Sequence, residues 1–189
     1  MSSTEERGNG RPSHSRGAAL IEVVMFIIVV GVAVGGVMMM FANTTRASAD
    51  PLIRKQALAI AESLLEEVRL MPFTFCDPDD PAVSTAGAPA ACGTPEVVGP
   101  EAGETRYAAL TPFDNVNDYN GFAMAGGILD ITGTAIAGLG AYSATIGVGG
   151  IIFGGIPVAD AQLITVTVTG PNTITVVLNG IRTRHAPNL

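Results

Sequence analysis

The sequence contains few of the side chains from which enzyme sites are usually built. Its 189 residues include no tryptophan and only two histidines, His14 and His185, which stand near opposite ends of the chain. No His-Glu-x-x-His segment, phosphate-binding loop or Ser/His/Asp arrangement is recognisable. Acid–base chemistry would therefore depend on carboxylates alone. We expect a protein that is not an enzyme and that uses no cofactor.

Basic side chains are also scarce. The chain has 10 Lys and Arg residues against 17 Asp and Glu residues, which gives a formal net charge of -7. Three of the arginines, Arg7, Arg11 and Arg16, lie in the first 17 residues, and no basic stripe follows them. Binding to nucleic acid requires such a stripe to neutralise phosphates, so we expect no nucleic-acid partner.

There are two cysteines, Cys76 and Cys92, in a segment rich in Pro, Ala and Asp. Neither has a Cys or His beside it at metal-ligand spacing, so a zinc site is not expected. A disulfide is the simplest interpretation if this part of the chain lies outside the cytoplasm. Closing a loop of this length stabilises a fold by about 3 kcal/mol in the chain-entropy model.

Charged and strongly polar side chains are missing from residues 23–42. A helix of that length spans about 30 Å, which is the thickness of the hydrocarbon core of a bilayer. Arginines precede this run, so the positive-inside rule places the leader in the cytoplasm and the C-terminal part in the periplasm. Gly31 and Gly35 form a small-xxx-small pair that favours close helix packing, although glycine is also simply tolerated in membrane helices.

The segment after this run predicts a second, amphipathic helix. Residues 43–49 form a polar joint, and Asp50-Pro51 is a typical helix start. Pro72 predicts that the helix ends near Met71. Apolar residues recur at steps of three and four, at Ile53, Ala57, Ile60, Leu64 and Val68.

Residues 73 to about 140 are rich in Pro and Gly and predict loops. Beyond them, apolar residues alternate with polar ones, which predicts half-buried antiparallel strands. Asn179-Gly180 indicates either a tight turn or a bulge within a strand that continues to Arg184. The predicted fold class is α+β. A long N-terminal helix, membrane-spanning in its first half and amphipathic in its second, packs on a C-terminal antiparallel sheet.

The most informative segment is Arg16-Gly17-Ala18-Ala19-Leu20-Ile21-Glu22, a glycine followed by an apolar helix with one carboxylate. It resembles the class III signal of type IV prepilins and type II secretion pseudopilins. This resemblance implies cleavage after Gly17 by a prepilin peptidase, N-methylation of Ala18 and assembly with other pilin subunits. Glu22, which is costly in hydrocarbon, gains a partner in the new amine and sets the register between subunits.

The resemblance divides the chain into a cytoplasmic leader (1–17), a transmembrane and filament-core helix (18–42), an amphipathic helix (43–72) and an outer domain (73–189). Residues 76–80, 113–121 and 164–184 also look like the MshD minor pilins of the mannose-sensitive haemagglutinin pilus. The likeness implies a low-abundance, pilin-like subunit. Its expected partners are the prepilin peptidase and methyltransferase, an inner-membrane assembly platform and other pilins, and it would end on the pilus at the cell surface.

Other interpretations of the N-terminus remain open. The closest is a minor pseudopilin of a type II secretion system. The chain also fits a single-pass, membrane-tethered binding module that keeps residues 1–17, with Glu22 at the headgroup boundary. A secretory signal peptide cut after Ala47-Ser48-Ala49 would have an unusually long apolar core.

The segment 114–121 is rich in Asp and Asn, and its hard oxygen ligands suit calcium. Asp114 and Asp118 are weak candidate ligands, and the nearby Asp77, Asp79 and Asp80 invite the same interpretation. The spacing does not match the Asp-x-[Asp/Asn]-x-[Asp/Asn]-Gly loop. Asx turns that position Tyr119 and Phe122 for packing are the favoured alternative, and we expect no metal.

Overall fold

A computed structural model describes residues 16–184 of the chain, with side chains described in 20–42 and 50–184. It is an α+β protein, as predicted, with one long helix and a four-stranded antiparallel sheet. The chain divides into two compact units, with the boundary between Ser48 and Ala49. Most of the predicted leader, residues 1–15, lies outside the described residues.

Helix α1 comprises Arg16–Leu70 and contains Pro51. Residues 43–49 are helical, so the predicted polar joint is not a break in secondary structure. Alanine and arginine favour helix, and a proline removes one hydrogen bond of the helix and clashes with the preceding turn without always ending it. The end of α1 at Leu70 agrees with the predicted stop before Pro72.

The amphipathic pattern of α1 is confirmed in the second unit. Five side chains at steps of one, three and four are at most 8% exposed: Ala57, Ile60, Ala61, Leu64 and Val68. They pack in one hydrophobic core with the buried face of the sheet. Burying apolar surface on both elements stabilises the unit, at roughly 25 cal/mol per Å² removed from water.

The sheet has the order β1-β2-β3-β4, and every pair is antiparallel. Its strands are β1 (Ala123–Met124), β2 (Ser143–Gly150), β3 (Ala161–Thr169) and β4 (Thr175–Thr183). Side chains of one parity are buried and those of the other face outward, as the alternation predicted. Between α1 and β2 the chain is mostly loop, with short 3₁₀ helices at Pro89–Ala91 and Val116–Tyr119.

Asn179 and Gly180 form neither a turn nor a bulge. They pair with Thr165 and Ile164 in an unbroken register along β4. A Cβ atom built on Gly180 would lie 2.8 Å from Cδ1 of Leu65. The glycine therefore allows α1 to lie close to the sheet, a contact that the local sequence does not reveal.

The expected disulfide joins Cys76 and Cys92, whose Cα atoms are 5.3 Å apart. Cys76 is fully buried, whereas the loop between the cysteines is largely exposed. Asp80 gives this loop a second point of attachment, since its carboxylate accepts hydrogen bonds from the amides of Ala82 and Thr94. The amide of Thr94, followed by that of Ala82, holds the pKa of Asp80 below its usual value.

We expect Cys76→Ser to lower the free energy of unfolding by about 3 kcal/mol, because the unfolded chain gains the freedom of the opened loop. Thermal unfolding of the full-length protein measures this loss. Adding a reductant to the wild-type protein should reproduce it and should leave the variant unchanged. Alkylation of both thiols in protein taken from the periplasm without reductant would contradict the disulfide.

Candidate functional site

The first candidate site is the apolar part of α1. Residues Leu20–Ala42 form a helical segment long and apolar enough to cross a membrane. None of the segment is buried, and its large apolar side chains are between 40% and 72% exposed. A continuous apolar surface of this kind is unfavourable in water and needs a cover of lipid or of other apolar helices.

Glu22 is exposed on this segment. Gly31 and Gly35 have no neighbouring atom within 4 Å of an added Cβ, so their surface is open to an approaching helix. Gly17 and Ala18 lie in the helical backbone near the start of α1, and the side chain of Ala18 is outside the described part of the chain. The structure therefore places the residues of the predicted processing and assembly sites along one helix.

A buried ion pair that no local sequence pattern predicts anchors the other half of α1. Arg106 is 5% exposed and donates to both carboxylate oxygens of Glu67, at 2.6 and 2.7 Å. Its remaining terminal nitrogen donates to the carbonyl oxygen of Asp130 at 3.0 Å. Burial opposes the charge on Arg106, but the carboxylate of Glu67 outweighs burial and raises the pKa of the guanidinium.

Tyr119 completes this cluster. Its hydroxyl donates to Oε1 of Glu67 at 2.8 Å, and its ring packs edge-on against Phe113. Burial, followed by the carboxylate of Glu67, raises the pKa of the Tyr119 hydroxyl. One sequence signal pointed here: residues 73–140 contain a single basic side chain, Arg106. A single basic residue in a loop region rich in carboxylates is a strong candidate to form a buried ion pair.

A cavity of about 510 Å³ adjoins this cluster, between α1 and residues 128–139. Its lining is mostly aliphatic, with Glu67 and Arg106 on one wall. Because both oxygens of Glu67 already accept hydrogen bonds from Arg106, this pair is held in place and is poorly suited to proton transfer. The cavity suits an apolar side chain better than a polar substrate.

Asp118 serves in part as a capping residue. Asn115 is the N-cap of the 3₁₀ helix Val116–Tyr119, and Oδ2 of Asp118 accepts hydrogen bonds from the amides of Asp114 and Asn115, at 2.9 and 2.7 Å. Tyr119 is 1% exposed. The alternative to a calcium site was a set of Asx turns that position aromatic side chains for packing. The residues around Tyr119, within segment 114–121, fit that alternative.

Asp114 and Asp118 belong to two different groups of carboxylates. Asp114 lies with Asp77 and Asp79, whereas Asp118 lies with Glu96 and Glu101. In each group, one carboxylate oxygen from each residue lies within 4.8 Å of the other two. Glu96 and Glu101 are remote in sequence from the Asp/Asn-rich segment, and no spacing pattern connects them to it.

Both groups contain carboxylates whose pKa values are raised. Burial, together with the nearby Glu101 and Asp118, raises the pKa of Glu96 to about 9. Burial, opposed by the amides of Asn115 and Asp114, raises the pKa of Asp118 to about 6. For Asp114, burial followed by the charge of Asp118 raises the pKa to about 7. These carboxylates have been placed where their negative charge is costly.

Comparisons with known proteins give no match: no family model, no curated protein and no solved structure is significantly similar to this chain.

Proposed function

We propose that this chain is a type IV pilin-like subunit. It would be made as a precursor held by one membrane helix, cut between Gly17 and Ala18, and assembled into a filament. The observation that carries the proposal is a single carboxylate, Glu22, five residues after Gly17, on an otherwise apolar helical segment of which no residue is buried. The same helix continues into a half that packs on an antiparallel sheet.

The position of Glu22 has a physical rationale in a filament. A carboxylate in hydrocarbon costs roughly 2.5 to 3.5 kcal/mol on insertion scales, so it is expected to have a partner. Cleavage after Gly17 creates a positive amine at Ala18, about one helical turn from Glu22. The amine of one subunit can pair with the carboxylate of a neighbour, which specifies the axial register of the two helices.

Within this class we propose a minor pilin of a pilus similar to the mannose-sensitive haemagglutinin pilus. The subunit would begin in the inner membrane with a periplasmic C-terminal domain and would end on the pilus. Prepilin peptidase and methyltransferase, the assembly platform and other pilins are the proposed partners. A type II secretion minor pseudopilin would carry the same features, and the neighbouring genes would distinguish the two systems.

N-terminal sequencing of the full-length chain, produced with and without a prepilin peptidase, tests the proposal. We expect a start at Ala18 with the peptidase and an intact leader without it. Gly17→Leu should block the cut, because the peptidase accepts only a small residue there. Gly10→Leu, the same change elsewhere in the leader, should not.

The other outcomes would identify the alternatives. An intact leader in the presence of the peptidase would leave the single-pass, tethered binding module. A start at Asp50 would indicate a signal peptidase and a secreted domain without the apolar helix. Either result would overturn the pilin proposal.

A further inference from the structure

The second unit also contains a candidate metal centre. We propose that Glu96, Glu101 and Asp118 bind a hard divalent cation, with calcium the best fit. This site differs from the pair Asp114 and Asp118 suggested by the sequence, because it takes two ligands from the loop after the disulfide. It does not depend on the filament proposal.

The spacing of the oxygens fits one ion. One carboxylate oxygen from each residue lies within 4.8 Å of the other two. Calcium binds oxygen ligands at 2.3 to 2.6 Å, so two oxygens on the same ion are at most about 5 Å apart. All three ligands are carboxylates, two on loop backbone and Asp118 on a short 3₁₀ helix, which suits the flexible coordination of calcium better than the strict octahedron of magnesium.

The second line of evidence is a set of buried oxygens without hydrogen-bond partners. Asp118 is 0% exposed; two amides satisfy its Oδ2, but its Oδ1 has no partner. Both oxygens of Glu96 and Oε1 of Glu101 are likewise buried and unpartnered. Buried carboxylates are normally paired or coordinate a metal, because a buried unpaired charge is very costly. Four such oxygens therefore belong to the three proposed ligands, whereas the group of Asp77, Asp79 and Asp114 contributes one, Oδ1 of Asp114.

Within residues 50–184, no basic side chain donates a hydrogen bond to this group. Arg184 is close enough for its charge to interact with that of Glu96, but its guanidinium donates to the carbonyl oxygens of Phe73 and Ala159 and pairs with Asp160. Arg106 is the only basic residue between positions 73 and 140, and its donors are directed to Glu67 and to backbone carbonyls. Two charge states remain for the group. Either protons neutralise the carboxylates, in keeping with the raised pKa of Glu96, or a cation does.

A cation here would connect separate parts of the outer loops. Glu96 follows the loop closed by Cys76 and Cys92, and Asp118 lies on the 3₁₀ helix that carries Tyr119. The Glu101 backbone is already held, since its amide donates to Oε2 of Glu104 at 3.2 Å. Because all three ligands lie within residues 96–118, binding would hold the two ends of this loop segment together.

Titration of the full-length, detergent-solubilised and EDTA-dialysed protein with CaCl₂ tests the proposal. Isothermal titration calorimetry should show calcium binding that is tighter than magnesium binding. At a calcium concentration about ten times Kd, the thermal midpoint should rise by about 3 to 6 °C relative to EDTA. Absence of both binding heat and midpoint shift would show that protons, and not a cation, neutralise the group.

Variants locate the ion. Glu101→Gln should weaken calcium binding at least tenfold, while its midpoint in EDTA stays at or above that of the wild type because one buried charge has been removed. Glu62→Gln, an exposed control on α1, should bind calcium normally. If Asp79→Asn abolishes binding and Glu101→Gln does not, the ion belongs to the group of Asp77, Asp79 and Asp114, and the proposed site is wrong. Cleavage after Gly17 is measured separately, so either proposal can fail alone.

Discussion

Replacing Arg106 with methionine is expected to lower the free energy of unfolding of the second unit by about 3 kcal/mol, near the lower end for breaking a buried ion pair. The guanidinium is 5% exposed and donates to both oxygens of Glu67. Methionine fills much of the volume but leaves a carboxylate among apolar side chains without its cation. The expected loss of stability is near the lower end of that range because the Glu67 side chain is 19% exposed and keeps some access to water.

Urea unfolding of the full-length protein, followed by circular dichroism, measures this effect. Arg69→Met is the matched control, because Arg69 is exposed on the same helix and its loss should cost less than about 0.5 kcal/mol. The double variant Arg106→Met/Glu67→Leu should be more stable than Arg106→Met alone, since it removes the unpaired charge. If Arg106→Met were no more costly than the control, the ion pair would not anchor the loops to α1.

Replacing Glu22 with alanine is expected to reduce incorporation into filaments at least tenfold, on the proposal that this chain is a pilin-like subunit. Membrane insertion and cleavage after Gly17 should remain largely intact, because removal of a charge makes insertion of the helix easier. The substitution removes the carboxylate that pairs with the Ala18 amine. In a low-dielectric filament core, this ion pair contributes more energy than an exposed pair does. A loss of about 1.4 kcal/mol already corresponds to a factor of ten.

Cross-linking to other pilins and immunoblotting of sheared filaments, with equal amounts of processed subunit in the membrane, would measure incorporation. Glu22→Gln removes the charge but keeps the size of the side chain, and it should reduce incorporation into filaments as much as Glu22→Ala does. Glu62→Ala, which removes an exposed carboxylate from the second half of α1, should assemble normally. Equal incorporation of Glu22→Ala and wild type would show that Glu22 has no registering role.

The elements with a regular apolar period were predictable. The steps of three and four from Ile53 to Val68 correctly gave the buried face of α1, and the alternation in 142–148 and 164–168 gave β2 and β3. Such periods are local, because each residue's direction follows from its neighbours along a helix or strand. The disulfide between Cys76 and Cys92 also followed from composition, since only two cysteines were available to pair.

The loops carry no such period, and their contacts had to come from the folded structure. Glu67 lies outside the predicted apolar positions of α1, yet it pairs with Arg106, thirty-nine positions away. Gly180 looked like a turn signal, yet its role is to let Leu65 of α1 approach β4. In both cases the decisive partner is distant in sequence.

The candidate sites differ in the same way: one could be predicted from local sequence, and the other depends on residues that meet only in the folded chain. The segment from Gly17 to Glu22 is readable in the sequence because processing and membrane insertion act on a continuous stretch of chain. The carboxylate group of Glu96, Glu101 and Asp118 was not readable, because three loop residues converge only after the core and the disulfide have fixed the loop ends. Backbone direction within a helix or strand is set by local geometry, whereas the meeting of loop side chains is set by tertiary packing.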